Sequence, residues 1–97
     1  MARYDLYRDG ANFLLDVQAD MLSGLNTRTV VPVRRPQDAR LPARRLNPRF
    51  EIGGAPYVMV TQYVVAIPES ELGRPESNFG QHHDEIAAAL DMLLEGY

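Results

Sequence analysis

With 97 residues, the chain falls far below the roughly 250–300 at which one core usually divides into two, so a single domain over residues 1–97 is expected. A composition of 45% hydrophobic and 24% charged residues without cysteine excludes wholesale disorder, disulfides and thiolate chemistry, and suits a reducing cytoplasm. The net charge of −3 argues against general nucleic-acid binding, which wants a basic contact face.

Along the chain, Arg3-Tyr4-Asp5-Leu6-Tyr7 alternates polar and apolar residues. Its start lacks the apolar segment of an export signal, and no later run approaches the ~18–20 apolar residues of a membrane span. Asp9-Gly10 offers a turn before Asn12-Phe13-Leu14-Leu15-Asp16-Val17, so an opening β-hairpin is predicted. Ser23-Gly24-Leu25-Asn26 breaks the chain ahead of the β-branched run Thr29-Val30-Val31-Pro32-Val33. Proline donates no ladder hydrogen bond, so that strand is expected to be an edge, or to bulge or end at Pro32. Residues 34–45 hold Pro36 and Pro42 and few apolar side chains, the pattern of an exposed loop.

A second hairpin follows. Arg49-Phe50-Glu51-Ile52 alternates, Gly53-Gly54 supplies positive φ, and Pro56-Tyr57-Val58-Met59-Val60-Thr61 resumes with strand formers. Residues 62–67 continue this strand or form one more after a bend, and Pro68 stops them, for about five strands in all. Residues 69–81 carry Gly73, Pro75 and Gly80 and read as an irregular connection. The period then changes: Ile86, Ala89, Leu90, Leu93 and Leu94 recur at helical spacing, predicting a helix over 82–95 closed by Gly96, with Tyr97 as a tail.

The charge is polarised. Residues 28–49 hold seven arginines against the single acid Asp38, a net +6, and residues 69–97 hold seven acids against Arg74, a net −6. All ten basic residues are arginine, a choice compatible with planar anion recognition but read here as the mark of a GC-rich genome.

Chemistry-bearing patterns are few. His82-His83 lacks further ligands at metal spacing and reads as a solvated helix start. No phosphate-binding glycine loop or nucleophile elbow is present. Arg28, Arg34 and Arg35 with Thr29 or Thr61 contain the groups of a metal-free ribonuclease, in which arginines stabilise a phosphorane-like transition state; a solvated arginine-rich loop explains them as well. Met21-Leu22 and Leu93-Leu94-Glu95-Gly96-Tyr97 each set large apolar side chains beside a chain break, as core or as an exposed contact patch.

Five blocks then stand in a telling order: Phe13-Leu14-Leu15-Asp16-Val17-Gln18-Ala19-Asp20-Met21-Leu22, Thr29-Val30-Val31-Pro32-Val33, Phe50-Glu51-Ile52-Gly53-Gly54, Ala66-Ile67-Pro68 with Leu72-Gly73, and the closing helix with its Gly-aromatic ending. In these the chain resembles, end to end, the CcdB toxins of bacterial toxin–antitoxin modules. The resemblance implies a mainly β, SH3-like, partly open antiparallel barrel with one C-terminal helix, acting as a homodimer. Self-association also suits the size, since so short a chain buries only about 60–65% of its unfolded surface.

Such toxins poison DNA gyrase: the dimer enters the cavity of the A subunit and traps the complex holding cleaved DNA, with no catalysis and no cofactor or metal of its own. The resemblance also implies a cognate, CcdA-like antitoxin whose disordered acidic segment wraps the toxin, and operon repression in which operator DNA is reached only through the antitoxin. The poisoning surface carries over to Met21, Leu22, Asp91, Leu94, Glu95, Gly96 and Tyr97. For the acidic antitoxin, charge alone suggests Arg34, Arg35, Arg40, Arg44 and Arg45. One departure stands out: family poisons usually have Trp at the position of Glu95, an indole that stacks on an arginine pair in gyrase. A carboxylate replaces that cation–π contact of ~0.5–2 kcal/mol with, at most, a charge-assisted hydrogen bond to arginine. A MazF/Kid-type mRNA endoribonuclease on the same scaffold, and a decayed toxin that only binds antitoxin, are the alternatives.

Overall fold

The computed structural model describes residues 1–39 and 43–96. Among them, seven strands precede one helix: β1 (Asp5–Asp9), β2 (Asn12–Asp16), β3 (Thr27–Arg34), β4 (Arg49–Ile52), β5 (Ala55–Met59), β6 (Val65–Pro68), β7 (Pro75–Asn78) and α1 (His83–Glu95). Every pairing is antiparallel, in the order β4-β5-β3-β2-β1-β7, with β6 also joined to β3. The result is a half-open antiparallel barrel with a C-terminal helix.

Both predicted hairpins form, and their glycines show why. Asp9 pairs with Asn12 across Gly10-Ala11, and Gly10 at φ +62° takes the first central position, as a type II′ turn requires. Ile52 pairs with Ala55 across Gly53 and Gly54, both at positive φ, the requirement of a type I′ turn. In each case the turn fixes the register, and so decides which side chains face inward.

The expectation for Pro32 is corrected: β3 is a central strand that runs through it. Residues 27–30 of β3 pair with β6 and residues 33–34 with β5, while β2 lies along the other side. The Pro32 carbonyl accepts the Val60 N–H at 2.8 Å. A strand residue's N and C=O point to the same side, so the missing N–H faces the gap where β3 changes partners, and no ladder bond is lost.

The strand count rises from about five to seven. Of the two readings of residues 62–67 the second holds, since the chain bends through a 3-10 turn (Thr61–Tyr63) and returns as one more strand, β6, against β3. Inside the stretch read as irregular, Pro75–Asn78 forms the edge strand β7 against β1. All four of its residues are exposed, so it lacks the apolar alternation by which strands are recognised, and polar groups hold it. Asn78 Nδ2 donates to the Arg3 carbonyl at 3.0 Å and to Asp5 Oδ1 at 2.9 Å, and Arg8 forms a two-pronged pair with Glu76. That pair holds the exposed Glu76 carboxyl below its usual range, through its hydrogen bond to Arg8.

The main core lies on one face of the sheet. Leu6, Phe13, Leu15, Val31 and Val33 meet Phe50, Tyr57, Met59 and Phe79, and Ile86 and Ala89 of α1 close over them. The helix begins at His83, one residue later than predicted, because Gly80–His82 forms a 3-10 turn before it. Gly96 ends it as expected, left-handed at φ +83° with its N–H on the Met92 carbonyl. Alternate strand positions bury a second set on the opposite face: Tyr7, Asp16, Arg28 and Val30. Arg28 Nε donates to Asp16 Oδ2 at 2.7 Å, and neither side chain has any exposed surface.

Burial raises the Tyr7 phenol above its ordinary value of 10.0, helped by the nearby carboxylates of Asp5 and Asp16. Burial likewise raises that of Tyr4. A phenol whose value is raised by folding costs nothing below the unfolded value and destabilises as pH climbs past it. Stability is therefore expected to fall above about pH 10. The Tyr7 hydroxyl has no hydrogen-bond partner among the described residues, so Tyr7→Phe should cost little at neutral pH and soften the alkaline loss. Urea midpoints of both proteins at about pH 8 and about pH 11 check this; equal falls would refute it.

Candidate functional site

The stretch between β2 and β3 leaves the sheet as a 3-10 turn, Asp20–Leu22. It is pinned from outside by two hydrogen bonds. Arg3 N–H donates to Asp20 Oδ1 at 2.8 Å, and Gln18 Nε2 donates to the Leu22 carbonyl at 2.9 Å. The ordered turn thus holds Met21 in solvent with 88% of its surface exposed and Leu22 with 48%. Burial of such side chains is worth about 1.5–3 kcal/mol each, and the fold leaves most of that unused.

At the other end of the chain, α1 buries Ile86 and Ala89, half-buries Leu90 and Leu93, and leaves Leu94 77% exposed. Asp91, Glu95 and Gly96 are exposed beside it; Tyr97 lies outside the described residues. Leu90, Leu93 and Leu94 share a groove of about 340 Å3 with Val17, Thr29 and Val64. Val17 leads directly into Gln18 and the Met21-Leu22 turn. The two apolar segments of the sequence are therefore not core at their tips: Met21, Leu22 and Leu94 are exposed, while Leu90 and Leu93 are partly buried. Tyr63 and Val65 are also exposed, and β6 pairs only with β3, so its outer edge is unpaired among the described residues.

The ribonuclease constellation does not assemble. Arg28 is locked in its pair with Asp16 and is inaccessible to any substrate, and Thr61 is buried with its hydroxyl donating to the Leu46 carbonyl. The histidines stand at a helix start as expected, His83 exposed and His82 half-buried, and make specific contacts there. His83 Nδ1 hydrogen-bonds the Tyr4 hydroxyl at 2.6 Å. The His82 ring packs 4.9 Å from Phe50 and 5.2 Å from Phe79, centroid to centroid. Tyr4 itself sits at φ +71°, a conformation uncommon outside glycine; its N–H donates to the Asp16 carbonyl and its carbonyl accepts from Phe79 N–H.

The arginines divide into two groups. Arg34 is half-buried with its guanidinium 5.4 Å above the Tyr63 ring, and Arg35 is exposed, 5.6 Å above that of Tyr57. Arg44 and Arg45, exposed, line a separate open cavity of about 370 Å3 with Pro48, Arg49, Glu85 and Ala88. Arg40 lies outside the described residues. Arg49 joins this cationic wall although it was assigned only to a strand; its alternation pointing away from Phe50 was the available signal.

The family model described as CcdB protein matches residues 3–96. The chain belongs to the CcdB family. A comparison with curated proteins returned no match. The membership fits the half-open barrel and its C-terminal helix, and makes this protein a toxin of the CcdB type. No described helix is long and apolar enough to cross a membrane. Within the matched residues, α1 ends on Glu95 and is followed by the left-handed Gly96.

Proposed function

We propose that this CcdB-type toxin poisons DNA gyrase as a homodimer, binding the A subunit through Met21, Leu22, Asp91, Leu94, Glu95, Gly96 and Tyr97. One observation carries the reading: ordered backbone holds Met21 and Leu94 in water at 88% and 77% exposure, the profile of apolar anchors that await a partner's pocket. Glu95 takes the place of an indole, so its contact with a gyrase arginine becomes a charge-assisted hydrogen bond rather than a stack. The free edge of β6, which follows directly on Val64 of the Leu90–Leu93 groove, is the surface we assign to the second copy, because an unpaired apolar edge favours pairing with another chain.

An acidic antitoxin segment would meet two cationic stations, Arg34 with Arg35, and Arg44 with Arg45 and Arg49, with Arg40 between them in sequence. Operator repression would run through the antitoxin, whose own end contacts DNA. The ribonuclease alternative loses its central residue, because Arg28 is buried in an ion pair.

The test is a cleavage assay with host-matched gyrase, supercoiled plasmid and ATP, scoring linear DNA after detergent and protease. Linear DNA is expected to accumulate with the full chain and to vanish on removal of Glu95, Gly96 and Tyr97. Its absence with an intact dimer would overturn gyrase as the target, and an mRNA cleavage assay would then separate a ribonuclease from a decayed toxin.

A further inference from the structure

Gln18 is 5% exposed, and its hydrogen bonds tie the end of β2 and the start of β3 to the turn that follows. Its N–H donates to Asp16 Oδ1 at 3.0 Å. Its side-chain Oε1 accepts the Thr29 N–H at 3.0 Å, and Nε2 donates to the Leu22 carbonyl at 2.9 Å. The β2–β3 ladder explains the first of the side-chain bonds. Asp16 pairs with Val30, and Val17 N–H still reaches the Thr29 carbonyl at 2.9 Å. There the chain leaves the sheet, so the Thr29 N–H, on the same side as its carbonyl, has no further main-chain acceptor. The Gln18 amide takes that place and with its other end grips the turn.

We propose that Gln18 is a positioning residue, setting the Met21-Leu22 turn at a fixed place relative to β3 and to the groove that Thr29 shares with Leu94. The inference rests on the poisoning surface proposed above. Its chemistry is specific to an amide, because the site needs an acceptor toward an N–H and a donor toward a carbonyl on one short side chain. Glutamate satisfies Thr29 but sets an acceptor against the Leu22 carbonyl; methionine matches the length and satisfies neither. Arg28 supports the same device one step back, since Asp16 holds its guanidinium with one oxygen and the Gln18 N–H with the other.

The experiment compares wild type with Gln18→Met and Gln18→Glu in two independent readouts. Amide hydrogen exchange should show loss of protection confined to Thr29 and residues 22–25 in Gln18→Met, and to residues 22–25 in Gln18→Glu, with Val33 and Met59 unchanged in both. In the gyrase assay, the toxin concentration for half-maximal cleavage should rise about tenfold with the maximum preserved. Loss of protection spread evenly over the protein would mean a merely structural residue and overturn the proposal, as would an unchanged turn or an unchanged half-maximal concentration. If Gln18→Met does not fold, Gln18→Glu carries the test, because it loses only the bond to Leu22. If wild type cleaves nothing, the gyrase reading fails while the exchange experiment still decides whether Gln18 holds the turn.

Discussion

Replacing Asp16 by alanine is expected to lower folding stability by about 3–5 kcal/mol, a large share of the ~5–15 kcal/mol typical of a small domain. Asp16 and Arg28 are both wholly buried, Nε alone makes the bond to Asp16, and the terminal nitrogens of Arg28 have no partner among the described residues. The hydrogen bond to Asp16 raises Arg28 above its already high ordinary value despite burial, and an arginine that loses such a partner still keeps its proton, so deprotonation offers no escape. Alanine at position 16 therefore leaves a full positive charge in a dry interior, and also strips the acceptor from Gln18 N–H. Asp16→Leu combined with Arg28→Met should recover most of the loss, since replacing both members of a buried pair by apolar groups is often neutral or stabilising. Urea midpoints of the single and double variants measure both effects, and a single variant as stable as wild type would show that the charge is not confined as described.

The second large effect concerns poisoning rather than folding. Met21→Asp and Leu94→Asp are each expected to weaken gyrase poisoning about thirtyfold or more, the loss associated with a central apolar anchor. Neither side chain is part of the buried core, so stability should change by no more than ~0.5 kcal/mol. Half-maximal cleavage concentrations read beside urea midpoints separate the two effects. A variant that keeps full potency would remove its residue from the contact surface.

These expectations come from side chains whose roles were unequally visible in the sequence. The hairpins were legible because Gly10 and Gly53-Gly54 impose turn types that few other residues satisfy. The helix was legible from its period, and its end from Gly96. Pro32 misled because the edge rule assumes that every position of a central strand has a neighbour on both sides, whereas β3 has a gap between β6 and β5 at that position. β7 carried no signal, since Pro75-Glu76-Ser77-Asn78 owes its place to Asn78 and Arg8 rather than to apolar alternation. The order of the family blocks made the CcdB class readable and pointed to Met21, Leu22 and Leu94, whereas spacing alone left them as core or as an exposed patch. Met21 and Leu94 have the same chemistry as core residues, and only the pinned turn and the helix's angular position distinguish them. Arg28 was grouped with the loop arginines because a lone cation in a β-branched strand announces its buried partner only when the diagonal neighbour, Asp16, is known.

The junction between the two ends of the fold bears on how the toxin is made. β1, the first strand, finds one of its two neighbours in β7, and Tyr4 is fastened to Phe79 and His83. During synthesis the opening hairpin emerges early but keeps a bare edge until residues 75–83 have also been released. The turn bearing Met21 is tethered to Arg3 in that same late-closing seam. The surface proposed for poisoning, which also takes Leu94 from the last turn of α1, is therefore completed only after the helix has left the ribosome.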